Sequence, residues 1–187
     1  MMNKSRKQTR LKGYDYSGEG CYFVTICSKA RQNIFGEITA VGAGLASARY
    51  EIKLSKLGQI VYEQWRDIPN QYKNMKIDQS IVMPNHFHGI LVVDSGIERA
   101  DVQDRRADAR PAPTVSDVVC SFKSRCAVEY LKYIRQNNLD VSGAIWQRGF
   151  YDHVIRNEHS LNEIREYILN NPVKWDDDEN NTTIAGK

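Results

Sequence analysis

Apolar positions in this chain switch between the two-residue period of strands and the three-to-four-residue period of helices, and the switching outlines a fold. Residues 21–27, Cys-Tyr-Phe-Val-Thr-Ile-Cys, are aromatic and β-branched and follow Gly18 and Gly20, which predicts a strand. Residues 34–39 and 50–54 predict two shorter strands around a Gly/Ala-rich turn at 41–48. After Ser55, the residues Leu57, Ile60, Val61, Gln64 and Trp65 recur at helical spacing, and Pro69 marks the expected end. Residues 75–83 and 86–93 are again strand-like, with Pro84-Asn85 between them predicting a tight turn and an antiparallel hairpin. Over 114–134, Val115, Val118, Val119, Phe122, Cys126 and Tyr130 form one stripe, flanked by Lys123, Arg125 and Lys132, as in an amphipathic helix with a basic flank. Residues 150–155 alternate as a last strand. Ser160-Leu161-Asn162-Glu163 has the form of a capping box and predicts a helix to about Asn171, where Pro172 stops it. This order of elements predicts an α+β sandwich, an antiparallel sheet with helices packed on it.

The 187 residues, 41% hydrophobic and 26% charged, suffice for one well-formed core, expected as a single domain over 1–175. Residues 94–113 combine dense mixed charge with two prolines and no period, which predicts a mobile connector inside that domain. The net charge of +3 is unevenly spread. Lys4, Arg6, Lys7, Arg10 and Lys12 make residues 1–17 a basic arm suited to phosphates, whereas Asp176, Asp177, Asp178 and Glu179 predict an acidic, disordered tail over 176–187. Cys21, Cys27, Cys120 and Cys126 lack the spacing of a structural zinc site and read as buried reduced thiols. Neither a signal peptide nor a membrane-spanning apolar run is evident, so the expected location is cytoplasmic.

Candidate chemistry begins at His86-Phe87-His88. On a strand the two imidazoles share one face while Phe87 anchors the other, which makes a ready pair of metal ligands. On the predicted final helix, Leu161, Ile164 and Ile168 face the sheet, and Tyr167 and Asn171 lie one turn apart along the edge of that stripe. A phenol there reaches past the core to solvent.

Met83-Pro84-Asn85-His86-Phe87-His88-Gly89, followed by Arg165-Glu166-Tyr167-Ile168-Leu169-Asn170-Asn171-Pro172, resembles the single-tyrosine HUH transposases and most closely the REP-associated tyrosine transposases, relatives of insertion-sequence transposases. The segments at 10–16, 22–27, 122–124 and 146–148 share the likeness, which spans most of the chain apart from the connector and the acidic tail. The resemblance implies a ferredoxin-like sandwich whose central antiparallel sheet carries the histidine strand. It implies a divalent metal, Mg2+ or Mn2+, held by His86 and His88, with Asn171 one turn after the tyrosine completing the site. Asn170 and His153 are alternative third ligands, while His159 is expected at the surface. Tyr167 is implied as the nucleophile that forms a 5′-phosphotyrosine and a free 3′-hydroxyl, with Tyr151 as the alternative. The implied partner is single-stranded DNA folded into palindromic hairpins, in a nucleoid setting, and the protein acts as a homodimer or as a monomer.

Charge and aromaticity nominate Lys12, Lys123, Arg125, Arg148 and Arg156 for phosphate contacts, and Trp146, Phe150 or Tyr151 for base stacking. Three rivals accompany this expectation: a non-catalytic ferredoxin-like nucleic-acid-binding protein, an HUH replication-initiator nuclease, and a metal hydrolase. The last calls for further carboxylates at the site, for which the sequence offers only distant candidates such as Asp15 and Asp78.

Overall fold

The computed structural model describes residues 18–41, 49–94, 113–178 and 180–181. In chain order the elements are β1 (Gly20–Cys27), β2 (Gly36–Val41), β3 (Arg49–Leu54), α1 (Lys56–Arg66), α2 (Ile68–Gln71), β4 (Met75–Val82), β5 (His86–Val93), α3 (Val115–Gln136), β6 (Tyr151–Ile155) and α4 (Glu158–Asn170). The four-stranded sheet runs β4-β5-β1-β6, and β2 pairs with β3 in a separate hairpin. Every neighbouring pair in the main sheet is antiparallel. Setting the β2–β3 hairpin aside, β1-α1-β4-β5-α3-β6 with β1 between the last two strands is the expected ferredoxin-like arrangement, and α4 is added to it.

Both faces of the sheet are covered. Tyr22, Val24 and Ile26 of β1 and Phe87 and Leu91 of β5 pack against Leu57, Val61 and Trp65 of α1 and Val118, Phe122 and Cys126 of α3. On the opposite face Phe23, Ile90 and Ile155 pack beneath Leu161 and Ile168 of α4. Strand alternation then decides where the histidines point: His86 and His88 share the parity of Ile90 and face α4, while Phe87 is locked between Trp65 and Phe122. Gly89 is required by the same packing, because a Cβ there would lie 2.5 Å from the buried Trp65 ring.

Several boundaries differ from expectation for local reasons. β2 starts at Gly36, since the Ile34 and Phe35 carbonyls instead accept from the Ser55 hydroxyl and amide. α1 ends at Arg66, before Pro69 as expected, and Pro69 itself sits in the first turn of the short α2, where its missing N–H costs nothing. Asn157, not Ser160, caps α4, its Oδ1 accepting from the Ser160 amide, so His159 lies inside the helix. A capping box does occur on α3, between Thr114 and Asp117. Of the cysteines, Cys126 is buried, Cys21 and Cys27 are half-buried and Cys120 is exposed. The acidic segment is not a disordered tail where it is described: Trp175–Asp177 form a 3-10 turn, and Asp178 and Asn181 bond back to it. The basic arm, Lys12 included, and residues 95–112 of the connector lie outside the described residues. No helix among the described residues is long and apolar enough to cross a membrane.

Gly58 marks where α1 docks on the chain leading to the histidine turn. The Ser55 hydroxyl caps α1 through the Gly58 amide, and a Cβ on Gly58 would stand 1.9 Å from the Phe35 carbonyl oxygen. Gly58→Ala is therefore expected to destabilise the protein by about 1–3 kcal/mol despite alanine's better helix propensity, because a backbone oxygen cannot swing aside as a side chain can. A urea midpoint equal to or above the wild type's would contradict this.

Candidate active site

The turn before β5 fixes the first imidazole. The Met83 amide donates to the His86 carbonyl across the two-residue Pro84-Asn85 turn, and the Pro84 and Asn85 carbonyls accept from the Phe35 and Ser28 amides. Asn85 is fully buried, and its Nδ2 donates to the Arg31 and Asn180 carbonyls at 3.1 and 2.6 Å. Its Oδ1 is thereby left to accept from His86 Nδ1 at 2.9 Å. An imidazole that donates through Nδ1 carries its lone pair on Nε2. His86 is 0% exposed, and that Nε2 has no hydrogen-bond partner. The second imidazole is set by β1, where register pairs Thr25 with His88 and brings the Thr25 hydroxyl to 2.9 Å from His88 Nδ1. Phe23 stacks on the His88 ring at 5.2 Å, and the two histidine rings lie edge to face with centroids 4.5 Å apart.

Burial keeps both histidines neutral. It outweighs the nearby Asp178 carboxylate and the Asn171 side chain and pushes His86 down to about 4, and it holds His88 well below the ordinary histidine range, with His86 adding to the effect. Neutral imidazole is the form that binds metal.

α4 carries the phenol to the same place. Leu161 and Ile168 seat it on the sheet, and Arg165 ties it to β4 through hydrogen bonds from Nε and Nη2 to Asp78, at 3.0 and 2.6 Å. Asp78 is thus committed to anchoring α4, and its carboxyl is held below the usual range by that guanidinium. Tyr167, 43% exposed, packs edge-on against Phe23 and brings Oη to 3.4 Å from His88 Nε2. One turn on, Asn171 caps the helix, is 3% exposed, and leaves its buried Oδ1 without a partner. Asn170 is exposed. His86, His88, Tyr167 and Asn171 therefore converge within one chain.

Two buried side-chain atoms without hydrogen-bond partners, His86 Nε2 and Asn171 Oδ1, are the atoms that could hold a divalent cation here. No three His, Cys, Asp or Glu side chains among the described residues form a metal-holding set alone, so the amide matters. Beside them opens a cleft of about 540 Å³, whose walls include His88, Tyr167, Arg31, Arg148, Phe150 and Tyr151.

No family model matches the chain. A Haemophilus influenzae protein described only as uncharacterized is 34% identical over 176 residues, covering 93% of this chain and 92% of that protein. Among solved structures, a REP-associated tyrosine transposase bound to a REP hairpin aligns over 93% of this chain and 74% of its own, with a TM-score of 0.53 and 19% identity. The chain belongs to the Haemophilus protein's family and has the REP-associated tyrosine transposase fold.

On this transposase fold the remaining nominated residues separate. Arg148 lines the cleft and Arg156 is exposed just beyond β6. Lys123 is not a free phosphate contact: its ammonium donates to the Gln147 and Gly149 carbonyls, both at 2.8 Å, and holds the loop that walls the cleft. Arg125 is not at the cleft either, but reaches toward Gln64 and Asp67 at the end of α1 on the other face of the sheet. Trp146 is half-buried against Phe35 and Phe122 and donates to the Lys123 carbonyl, which suits packing rather than base stacking. Tyr151 lines the cleft, exposed, opposite Thr25, and His153 is exposed opposite Phe23. His159 is exposed beside Glu163. Asn85 and Asp178 were expected only as turn and tail residues, and Thr25, Arg31 and Asn180 carried no assigned role in the sequence. A tryptophan just before the acidic segment and two asparagines within it were the only signal that it folds back.

Proposed function

We propose that the protein is a tyrosine nuclease and strand transferase of the transposase type, acting on single-stranded DNA presented with hairpin structure. The observation that carries this is the approach of Tyr167 Oη to within 3.4 Å of His88 Nε2, in a cleft lined by His88, with the His86 ring buried beside it at 4.5 Å between centroids.

Each residue has a task in this reading. Arg31 and Arg148 attract the phosphate backbone into the cleft, and Phe150 and Tyr151 offer rings for unpaired bases. His86, His88 and Asn171 would hold Mg2+ or Mn2+, which when bound supplies Lewis-acid neutralisation of the scissile phosphate. Tyr167 gives up its phenolic proton to solvent at the exposed mouth, and its oxygen attacks phosphorus. The P–O3′ bond breaks, the departing oxygen takes a proton as a 3′-hydroxyl, and a 5′-phosphotyrosine remains. Attack by a 3′-hydroxyl on that phosphotyrosine reverses the roles, so phosphodiester energy is conserved and strands are rejoined without ATP. Rigid placement does most of the work: the histidines stand on a central strand, and α4 is pinned by the Asp78–Arg165 pair. Since one chain supplies every group, no second subunit is needed to assemble the site.

The test is incubation with single-stranded hairpin DNA and Mn2+, followed by denaturing electrophoresis. A covalent protein–DNA adduct that disappears in His86→Ala and on adding chelator is the expected result. An adduct that survives both would overturn the metal-assisted reading, and absence of any cleavage across varied hairpins would overturn the nuclease.

A further inference from the structure

Asp178 reaches the site by a route that neither the histidine strand nor α4 provides. After α4 the Lys174 amide bonds back to the Asn170 and Asn171 carbonyls, and the chain turns so that Trp175 lies over His86, ring centroids 6.0 Å apart. The turn then closes on itself. The Asp178 amide donates to the Trp175 carbonyl, the Asn181 amide donates to the Asp178 carbonyl at 2.8 Å, and Asn181 Nδ2 donates to the Trp175 carbonyl at 2.9 Å. Asn180 docks it: its carbonyl accepts from Asn85 Nδ2, and its Oδ1 accepts from Arg31 Nη1 at 2.8 Å. Asn85 therefore sets the His86 tautomer with one end of its amide and holds this turn with the other.

The docking aims a carboxylate. Asp178 Oδ1 accepts from the Asn180 amide and Nδ2, at 2.6 and 2.9 Å, which leaves Oδ2 directed at the site, 3.9 Å from His86 Nε2. The side chain is 7% exposed. Burying a carboxylate there is costly unless something positive meets it. Beside it, the buried His86 Nε2 and Asn171 Oδ1 have no hydrogen-bond partner. A divalent cation among them would meet all three at once. Bonds of about 2.1 Å place two ligands of one small cation between about 3 and 4.2 Å apart, a range that includes the Asp178–His86 separation. Charge favours the same conclusion, because two imidazoles and an amide bring none to a hard dication, whereas a carboxylate brings −1.

We propose that Asp178 is a ligand of the divalent cation, delivered by the docked turn after α4; this rests on the metal site assigned to His86, His88 and Asn171 above. The experiment is direct Mn2+ binding to the full chain without DNA, followed by the loss of the free-ion electron paramagnetic resonance signal, for wild type, Asp178→Asn, Asp178→Ser and His86→Ala. Near-ultraviolet circular dichroism reports whether the turn stays docked. Asp178→Asn keeps the shape and the acceptor for Asn180 while removing the charge, and is expected to raise the Kd for Mn2+ at least tenfold with an unchanged spectrum. Asp178→Ser, whose hydroxyl still accepts from Asn180, is expected to lose at least as much and serves if the asparagine variant disturbs the turn. Should both bind within twofold of wild type, or more tightly, while His86→Ala loses the ion, the assignment of Asp178 is overturned and the histidine site stands. Should wild type bind no Mn2+, or His86→Ala bind as wild type does, both fall together.

Discussion

Tyr167→Phe is expected to abolish the covalent DNA adduct and to lower cleavage of hairpin DNA by at least about 10³-fold, because the substitution removes the nucleophilic oxygen itself. It removes little else. The ring's edge-on packing against Phe23 and His88 survives in phenylalanine, and the residue is 43% exposed, so stability should change by no more than about 0.5 kcal/mol. Hairpin binding, which rests on the cleft walls, should persist. The pair of measurements is decisive: binding retained with adduct lost assigns the covalent step to Tyr167. An adduct that persists moves the nucleophile, and exposed Tyr151 in the same cleft is the next residue to substitute. Cleavage that persists without an adduct hands the nucleophile to water, as in a metal hydrolase, the rival that the Asp178 carboxylate brings closest.

The second large effect is on stability against pH. His86 titrates near 6.5 in an unfolded chain and at about 4 in the folded one, with burial the chief cause. Between those values the unfolded chain binds a proton that the native state refuses, so unfolding is favoured as pH falls. The contribution of neutral, buried His86 is thus fully present above about pH 6.5 and is lost progressively down to about pH 4, on the order of 3 kcal/mol in all. His88, lowered by the same burial, adds in the same direction. The Asp78 carboxyl, held down by Arg165, acts below this window, since its stabilisation is lost only under the ordinary carboxylate range. Urea unfolding of wild type and His86→Asn, in chelator from pH 4 to 7.5, checks the sign. The wild-type advantage should shrink as pH falls, and parallel curves would show that His86 is not the titrating group.

Much of the fold was legible because its signals are local. The aromatic, β-branched run of β1, the helical stripe of α3 and the Pro84-Asn85 turn depend on near neighbours in sequence, and each appears within a residue or two of its expected place. Where the expectation slipped, a competing contact had taken over. Ser55 claims the carbonyls of Ile34 and Phe35, so β2 starts late. Asn157 outcompetes Ser160 as the cap of α4. Charge misled for the same reason. Lys123 and Arg125 read as a basic flank, but the Lys123 ammonium is taken by two loop carbonyls, and Arg125 points to the end of α1 rather than to the cleft.

By itself, the sequence determined the parts of the candidate site that follow from period. Strand alternation puts His86 and His88 on one face, and helical spacing puts Tyr167 one turn from Asn171. Only the tertiary structure decided that these two halves meet, because the register of β1 on β5 and the seating of α4 on the sheet arise from packing between segments remote in the chain. It also decided the state of the imidazoles, since burial cannot be read from spacing, and Asn85 is an acceptor for His86 only because Arg31 and Asn180 occupy its other end. Asp178 shows the difference most plainly: an acidic run reads as solvated wherever it stands in a sequence, and only the docked turn after α4 brings one of its carboxylates to the buried histidines.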